Sequence, residues 1–177
     1  MITKNIKDKI KHYFLQNPTI KLRVRQIERT VKVPLPSAIR YAKELEKEEI
    51  LKSDKITDVT FYSAYRVSQK YLLEKKLYNI KNLYDTGLMQ KLKEDYDNCS
   101  IILFGSYSKG EDTEKSDIDI YLEYPSQKEA NLNEFEKKLG RKIELFIHKN
   151  IREIKNIELA NNIINGIVLN WFIEVFR

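Results

Sequence analysis

The sequence predicts an α+β chain in three stretches: three short helices with a β-hairpin, then connecting helices, then an α/β part on a small mixed sheet. Three observations carry this. Between Ile2 and Glu48 apolar residues recur at helical spacing, and from Ile50 to Val67 the pattern becomes β-branched and aromatic with a polar tip. From Ser68 to Asn98 the period is helical again, with no Gly/Ser/Pro-rich linker on either side. From Ile101 onward short apolar runs, some strictly alternating, are separated by helical stretches. The boundaries fall at 1–67, 68–98 and 99–177.

In the first stretch Ile2, Ile6, Ile10, Tyr13 and Phe14 predict a helix from Thr3 to Gln16, stopped by Asn17-Pro18. A second helix is expected over Val24–Val31. After the turn Lys32–Ser37, Pro36 and Ser37 open a third that runs to Glu48, with Ile39, Ala42 and Leu45 on its apolar face. Ile50–Ser53 and Val59–Val67 form the hairpin around a tip at Asp54–Asp58. In the connecting stretch Leu72, Leu73, Leu77, Ile80, Leu83 and Tyr84 make an apolar stripe, a candidate homodimer surface, with Lys75, Lys76 and Lys81 on the other side. Thr86-Gly87 interrupts it before a second amphipathic helix that reaches Asn98. Further helices are expected at Ser126–Leu139 and Ile151–Asn165, a strand at Lys142–Ile147, and a last strand near Ile167–Trp171, with Trp171, Phe172 and Phe176 packed inside.

The chemistry concentrates between Phe104 and Tyr124. Ile101–Phe104 is an apolar run suited to a buried strand, broken by Gly105-Ser106. Glycine lets the backbone turn and approach a ligand closely, and serine can open a helix with its hydroxyl toward a phosphate. Ten residues later Ser116–Leu122 alternates with period two: Asp117, Asp119 and Tyr121 share one face, and Ile118, Ile120 and Leu122 the other. Two carboxylates on one face repel unless a cation lies between them. Ile143, Leu145 and Ile147 share a core face, which puts Glu144 on the opposite one with Phe146. A Gly-Ser turn or an exposed Asp-x-Asp alone is ordinary; in this order and spacing they point to a nucleotide with a divalent metal.

Gly105-Ser106, ten intervening residues and Asp117-Ile118-Asp119 resemble the signature of the polymerase-β-like nucleotidyltransferases, above all the minimal members of that superfamily. The resemblance covers the second half of the chain. It implies that Gly105 and Ser106, with Lys109 assisting, hold ATP or another nucleoside triphosphate. It implies that Asp117 and Asp119 bind Mg²⁺ (or Mn²⁺), with Glu144, where relatives more often have Asp, as third catalytic and metal-binding carboxylate. Attack of an acceptor on the α-phosphate would release pyrophosphate. Minimal members are often antitoxins that adenylylate a toxin partner; with little chain beyond the core to form a large acceptor pocket, a macromolecular acceptor such as a protein or toxin partner, or a partner subunit that completes the site, is expected. The three helices and hairpin similarly resemble a winged helix-turn-helix. That likeness implies double-stranded DNA as a partner, with Ser37, Arg40, Tyr41, Lys43, Glu44 and Lys47 on or beside the groove-facing side and Lys52 and Lys55 in the wing.

Charge supports a polyanion partner for the first part alone. The chain has 32 Lys and Arg against 26 Asp and Glu, a net +6. Residues 1–70 hold 16 basic and 8 acidic residues, a net +8. Cys99 is the only cysteine and His12 and His148 the only histidines, which excludes an intrachain disulfide and a Cys/His zinc site. The charged N-terminus does not read as a signal peptide, and the apolar run Ile163–Phe176 is interrupted and shorter than the roughly 20 residues a bilayer requires. A soluble cytoplasmic protein with no membrane partner is expected. The rival reading is a DNA-binding regulator whose second domain senses nucleotide without turning it over.

Overall fold

Two small sheets organise the chain, one in each of two compact units, Met1–Tyr78 and Asn79–Arg177. The computed structural model describes residues 5–126, 128 and 130–175. Ile2 and Phe176, and the predicted start of the first helix at Thr3, lie outside them.

In the first unit α1 (Ile6–Gln16) starts at Asn5, whose Oδ1 accepts from the Lys7 N–H at 3.2 Å. There follow β1 (Lys21–Leu22), α2 (Val24–Val31), α3 (Leu35–Lys47), β2 (Leu51–Ile56) and β3 (Val59–Ala64). The sheet order is β1-β3-β2, antiparallel throughout. Ile10, Phe14, Leu15, Ile27, Ala38, Ala42 and Leu45 close the core beneath it. β1, absent from the sequence reading, is too short to show alternation. The hairpin turn is only Thr57-Asp58, since Ile56 pairs with Val59. Thr57 takes φ +54°, a conformation that sequence usually announces with Gly or Asn, so the expected five-residue tip is corrected to two. On α3 the buried row is Ala38, Ala42 and Leu45, and Ile39 is 41% exposed. Small alanines let α3 approach its neighbours more closely than an Ile at the contact would.

The chain's division falls inside α4 (Gln69–Asp85). Its buried row is Tyr71, Lys75, Asn79 and Leu83, while Leu73, Leu77 and Tyr84 are exposed. The predicted apolar stripe is therefore corrected: two of its four-residue steps are occupied by buried polar side chains, which a count of apolar residues assigns to the surface. After α5 (Leu88–Asp95) come β4 (Ser100–Phe104), α6 (Gly105–Lys109), β5 (Ile118–Glu123), α7 (Asn133–Leu139), β6 (Ile143–His148), a 3₁₀ turn at Ile151–Glu153, α8 (Ile157–Ile164) and β7 (Ile167–Asn170). Of the expected helix Ser126–Leu139, Gln127 and Glu129 lie outside the described residues and α7 covers Asn133–Leu139; the one from Ile151 breaks into the 3₁₀ turn and α8, whose N-cap Asn156 accepts from the Glu158 and Leu159 N–H groups.

The second sheet has the order β6-β5-β4-β7 and is mixed: β5 and β6 run parallel, and β4 is antiparallel to both neighbours. One face carries Ile101, Leu103, Ile118, Ile120 and Leu122, packed with Leu83, Leu88, Met89 and Leu92. The other carries Ile102, Phe104 and Tyr121 under Ile151 and Ile163. Trp171 and Phe172 are 62% and 60% exposed, not packed. Trp171 turns the chain at φ +52° directly after β7.

Gly166 joins α8 to β7 at the closest approach of helix and sheet: a Cβ there would lie 2.6 Å from Leu103 O and 2.9 Å from Ile163 O. Both neighbours are backbone and cannot swing aside. Gly166→Ala is expected to destabilise the second unit by about 1–3 kcal/mol, read as an earlier urea midpoint by Trp171 fluorescence. An unchanged midpoint would show that α8 shifts freely.

Candidate active site

The site grows from one turn. β4 ends at Phe104, and Gly105 turns the chain at φ +69° into the five-residue α6. Only glycine suits this position on two counts: the left-handed φ, and the Asp119 carboxylate oxygen, which occupies the space a Cβ would fill. Tyr107 is buried in the core below the sheet and pins α6 from beneath. The Ser108 hydroxyl donates to Gly105 O at 2.8 Å, and Gly110, at φ +75°, closes the helix by donating its N–H to Ser106 O. Ser106 is half-buried at the start of α6, and Lys109 is exposed three residues along, on the same side of the helix.

Strand register assembles the acids. Asp119 on β5 stands between Phe104 of β4 and Glu144 of β6, because Phe104 pairs with Asp119 and Asp119 with Glu144. Asp117 lies just before β5 and is exposed; Asp119 is half-buried; Glu144 is exposed. The turn that delivers Asp117 is held by Ser116, whose Oγ accepts from the Thr113 N–H at 2.9 Å and whose N–H donates to Thr113 O at 3.1 Å. β5 then opens with the Ile118 N–H donating to Lys142 O at 2.9 Å, which locks it to the start of β6.

Burial raises the Asp119 pKa above the usual carboxylate range, and the neighbouring charges of Glu144 and then Asp117 raise it further. The site thus carries uncompensated negative charge, which a divalent cation relieves. Hard carboxylate oxygens from adjacent strands suit Mg²⁺ or Mn²⁺. Among the described residues no group of three or more His, Cys, Asp or Glu side chains already converges on a metal position. The register and the electrostatics fit a cation, without a preformed cage.

Two buried residues, Asp112 and Asn79, and the nearly buried side chain of Arg141 escaped the sequence reading. Asp112, in the loop between α6 and β5, is 0% exposed; its Oδ1 accepts from Asn79 Nδ2 at 2.7 Å and its Oδ2 from an Arg141 guanidinium nitrogen at 3.2 Å. Asn79 Nδ2 also donates to Tyr107 O at 2.9 Å. Nothing in the acidic run Glu111–Asp117 distinguishes Asp112 from its solvated neighbours. Partners 29 and 33 residues away leave no local signal.

The nucleotidyltransferase domain family matches residues 86–169. A "Putative protein adenylyltransferase" of Methanocaldococcus jannaschii is 43% identical over 67 residues, 34% of this chain and 67% of the relative. The chain belongs to the nucleotidyltransferase family. A second protein of the same printed name and organism is 61% identical over 33 residues, 19% of this chain, and a third is 54% identical over 35 residues, 20% of this chain. The matched segments span 34% and 41% of those two relatives. No solved structure matches. The enzyme is therefore a transferase of nucleotidyl groups. No helix among its described residues is long and apolar enough to cross a membrane.

The raised Asp119 pKa makes a signed forecast for this nucleotidyltransferase. A carboxyl whose folded pKa exceeds its unfolded value favours the fold at low pH, and that contribution is lost as the pH rises through the folded pKa. Asp119→Asn should therefore raise the melting temperature at pH 7. The gain should vanish below the ordinary carboxylate value of 3.8, where Asp119 is protonated in both states. Thermal melts of both proteins across that range check it; a destabilised variant at pH 7 would contradict the penalty that burial and the neighbouring carboxylates place on the Asp119 charge.

Proposed function

We propose that this nucleotidyltransferase transfers AMP from ATP to a protein acceptor with Mg²⁺ or Mn²⁺ held by Asp117, Asp119 and Glu144. The observation that carries the reading is the register that sets Glu144 beside Asp119 while Gly105 admits the Asp119 carboxylate against the turn that opens α6. The relatives' printed names, and Asp117 and Glu144 facing solvent, support a macromolecular acceptor; a toxin paired with this chain is one candidate. Nucleotide and cation supply suit a cytoplasmic setting.

The bound cation supplies charge neutralisation at the triphosphate. Ser106 and backbone N–H groups at the start of α6 seat phosphate oxygens, and Lys109 adds positive charge from the same side. Glu144 orients the acceptor hydroxyl and takes its proton as the oxygen bonds to the α-phosphorus. The bond from that phosphorus to the bridging oxygen breaks, and pyrophosphate leaves. Incubation with α-labelled ATP, Mg²⁺ and host lysate should label a protein, and Asp119→Asn should not; absence of label with every nucleotide would defeat the reading. Glu144→Gln should keep most of the Mg²⁺-nucleotide affinity and lose transfer by a factor of at least about 10². Transfer that survives the substitution unchanged would remove Glu144 from the chemistry.

A second reading concerns the first unit, and the exposed row Arg40, Lys43 and Lys47 on α3 favours it. We read this unit as a winged helix-turn-helix module that lays α3 in the major groove, with Ser37 and Tyr41 at the edge of the contact. The Arg40 guanidinium lies 4.3 Å from the centre of the Tyr41 ring. The rival function, a regulator that senses nucleotide without transfer, rests on this module. Full-length protein should bind duplex DNA with an affinity that falls steeply with salt, and Arg40→Ala should cost about 1–3 kcal/mol if it reads a base edge. No gel shift at low salt would end the proposal.

A further inference from the structure

We propose that Asp112 is a positioning residue, the hub of a buried polar tie that sets the three site-bearing segments in one geometry. The inference rests on the nucleotidyl-transfer reading and concerns the same site. Each arm of the hub reaches a different segment. Asp112 itself lies two residues after Gly110 and five before Asp117, in the loop that delivers the Asp-x-Asp pair. Through Arg141, two residues before β6 begins and three before Glu144, it holds the strand that carries the third carboxylate. Through Asn79, whose amide also donates to Tyr107 O, it holds α6 next to Ser106.

Stability alone gives little reason for this arrangement. Asp112 and Asn79 are fully buried and the Arg141 side chain is 7% exposed. Removing such charges from water offsets much of their attraction, and an apolar pair of equal volume often serves a fold as well. What an apolar pair lacks is direction: a carboxylate with both oxygens engaged fixes distance and angle between its partners. The site needs that, because Asp117 and Glu144 sit at strand starts and are exposed, so their own packing restrains them little. A displacement near 1 Å at reacting groups can cost about 10²-fold in rate.

The test separates positioning from folding. Asp112→Asn alone strands the Arg141 charge and can unfold the unit, so the decisive protein is the double variant Asp112→Asn with Arg141→Met, which removes both charges. Wild type and double variant are compared by melting temperature, by kcat and KM for label transfer from ATP, and by backbone hydrogen exchange. The expected result is a folded double variant whose kcat is lower by about 10- to 100-fold with KM for ATP nearly unchanged. Its exchange should be faster at residues 111–118 and 141–145 but not across β4. Wild-type kcat in the folded double variant, or exchange that rises evenly over the unit, overturns the proposal. If the wild type transfers no label, the nucleotidyl-transfer reading fails, and the exchange pattern decides the tie by itself. If the double variant does not fold, Arg141→Lys, which keeps the charge and shortens the reach, takes its place under the same criteria.

Discussion

A half-buried Asp119 flanked by Glu144 and Asp117 is the constraint on which the candidate site depends. Asp119 cannot move away from Glu144, because parallel pairing of β5 with β6 sets the two residues opposite each other. Nor can it retreat toward β4, where its carboxylate already lies in the space a Gly105 side chain would take. A parallel pair needs a crossover connection, and the stretch containing α7 supplies it between β5 and β6. On that face Ile102, Tyr121 and Phe146 form one row under Ile151 and Ile163; in the next row Phe104 of β4 still belongs to that cluster, while the positions on β5 and β6 are Asp119 and Glu144. On β5 and β6 alone, the change from core residue to acid takes one residue pair.

Those features were legible because they follow strand period. Alternation from Asp117 to Leu122 sorts acids from core residues, and the same rule puts Glu144 opposite Ile143, Leu145 and Ile147; β5 and β6 pack accordingly. Register was not legible: alternation states which face Glu144 takes, never that its neighbour is Asp119. That pairing depends on the order β6-β5-β4-β7, a property of the whole unit.

The errors share a cause. On α4 a count of apolar residues put Lys75 on the surface and passed over Asn79, yet both are buried. Apolar periodicity finds the face that leaves water only where burial is driven by apolar surface. A helix that contributes to a buried polar network breaks the pattern where it matters most to the site. The opposite error fell on Trp171 and Phe172, large apolar residues that stay exposed. Apolar character gives only a tendency to be inside, and these two residues follow the end of β7 and a left-handed turn at Trp171.

The same contrast orders the charges of this protein. Pairs such as Lys81–Asp85 at 2.7 Å and Lys91–Asp95 at 2.8 Å join neighbouring turns of one helix. Both are at least partly exposed, and such pairs contribute at most about 1 kcal/mol. They specify nothing beyond the helix that carries them. Arg141–Asp112 spans 29 residues, leaves water almost entirely and connects a loop to a strand. A charge placed there is costly to desolvate, so its presence is better explained by direction than by strength. Strand pairing sets Asp119 against Glu144, and the buried tie behind the Gly-Ser turn is placed to restrain the loop and the strand start that carry Asp117 and Glu144.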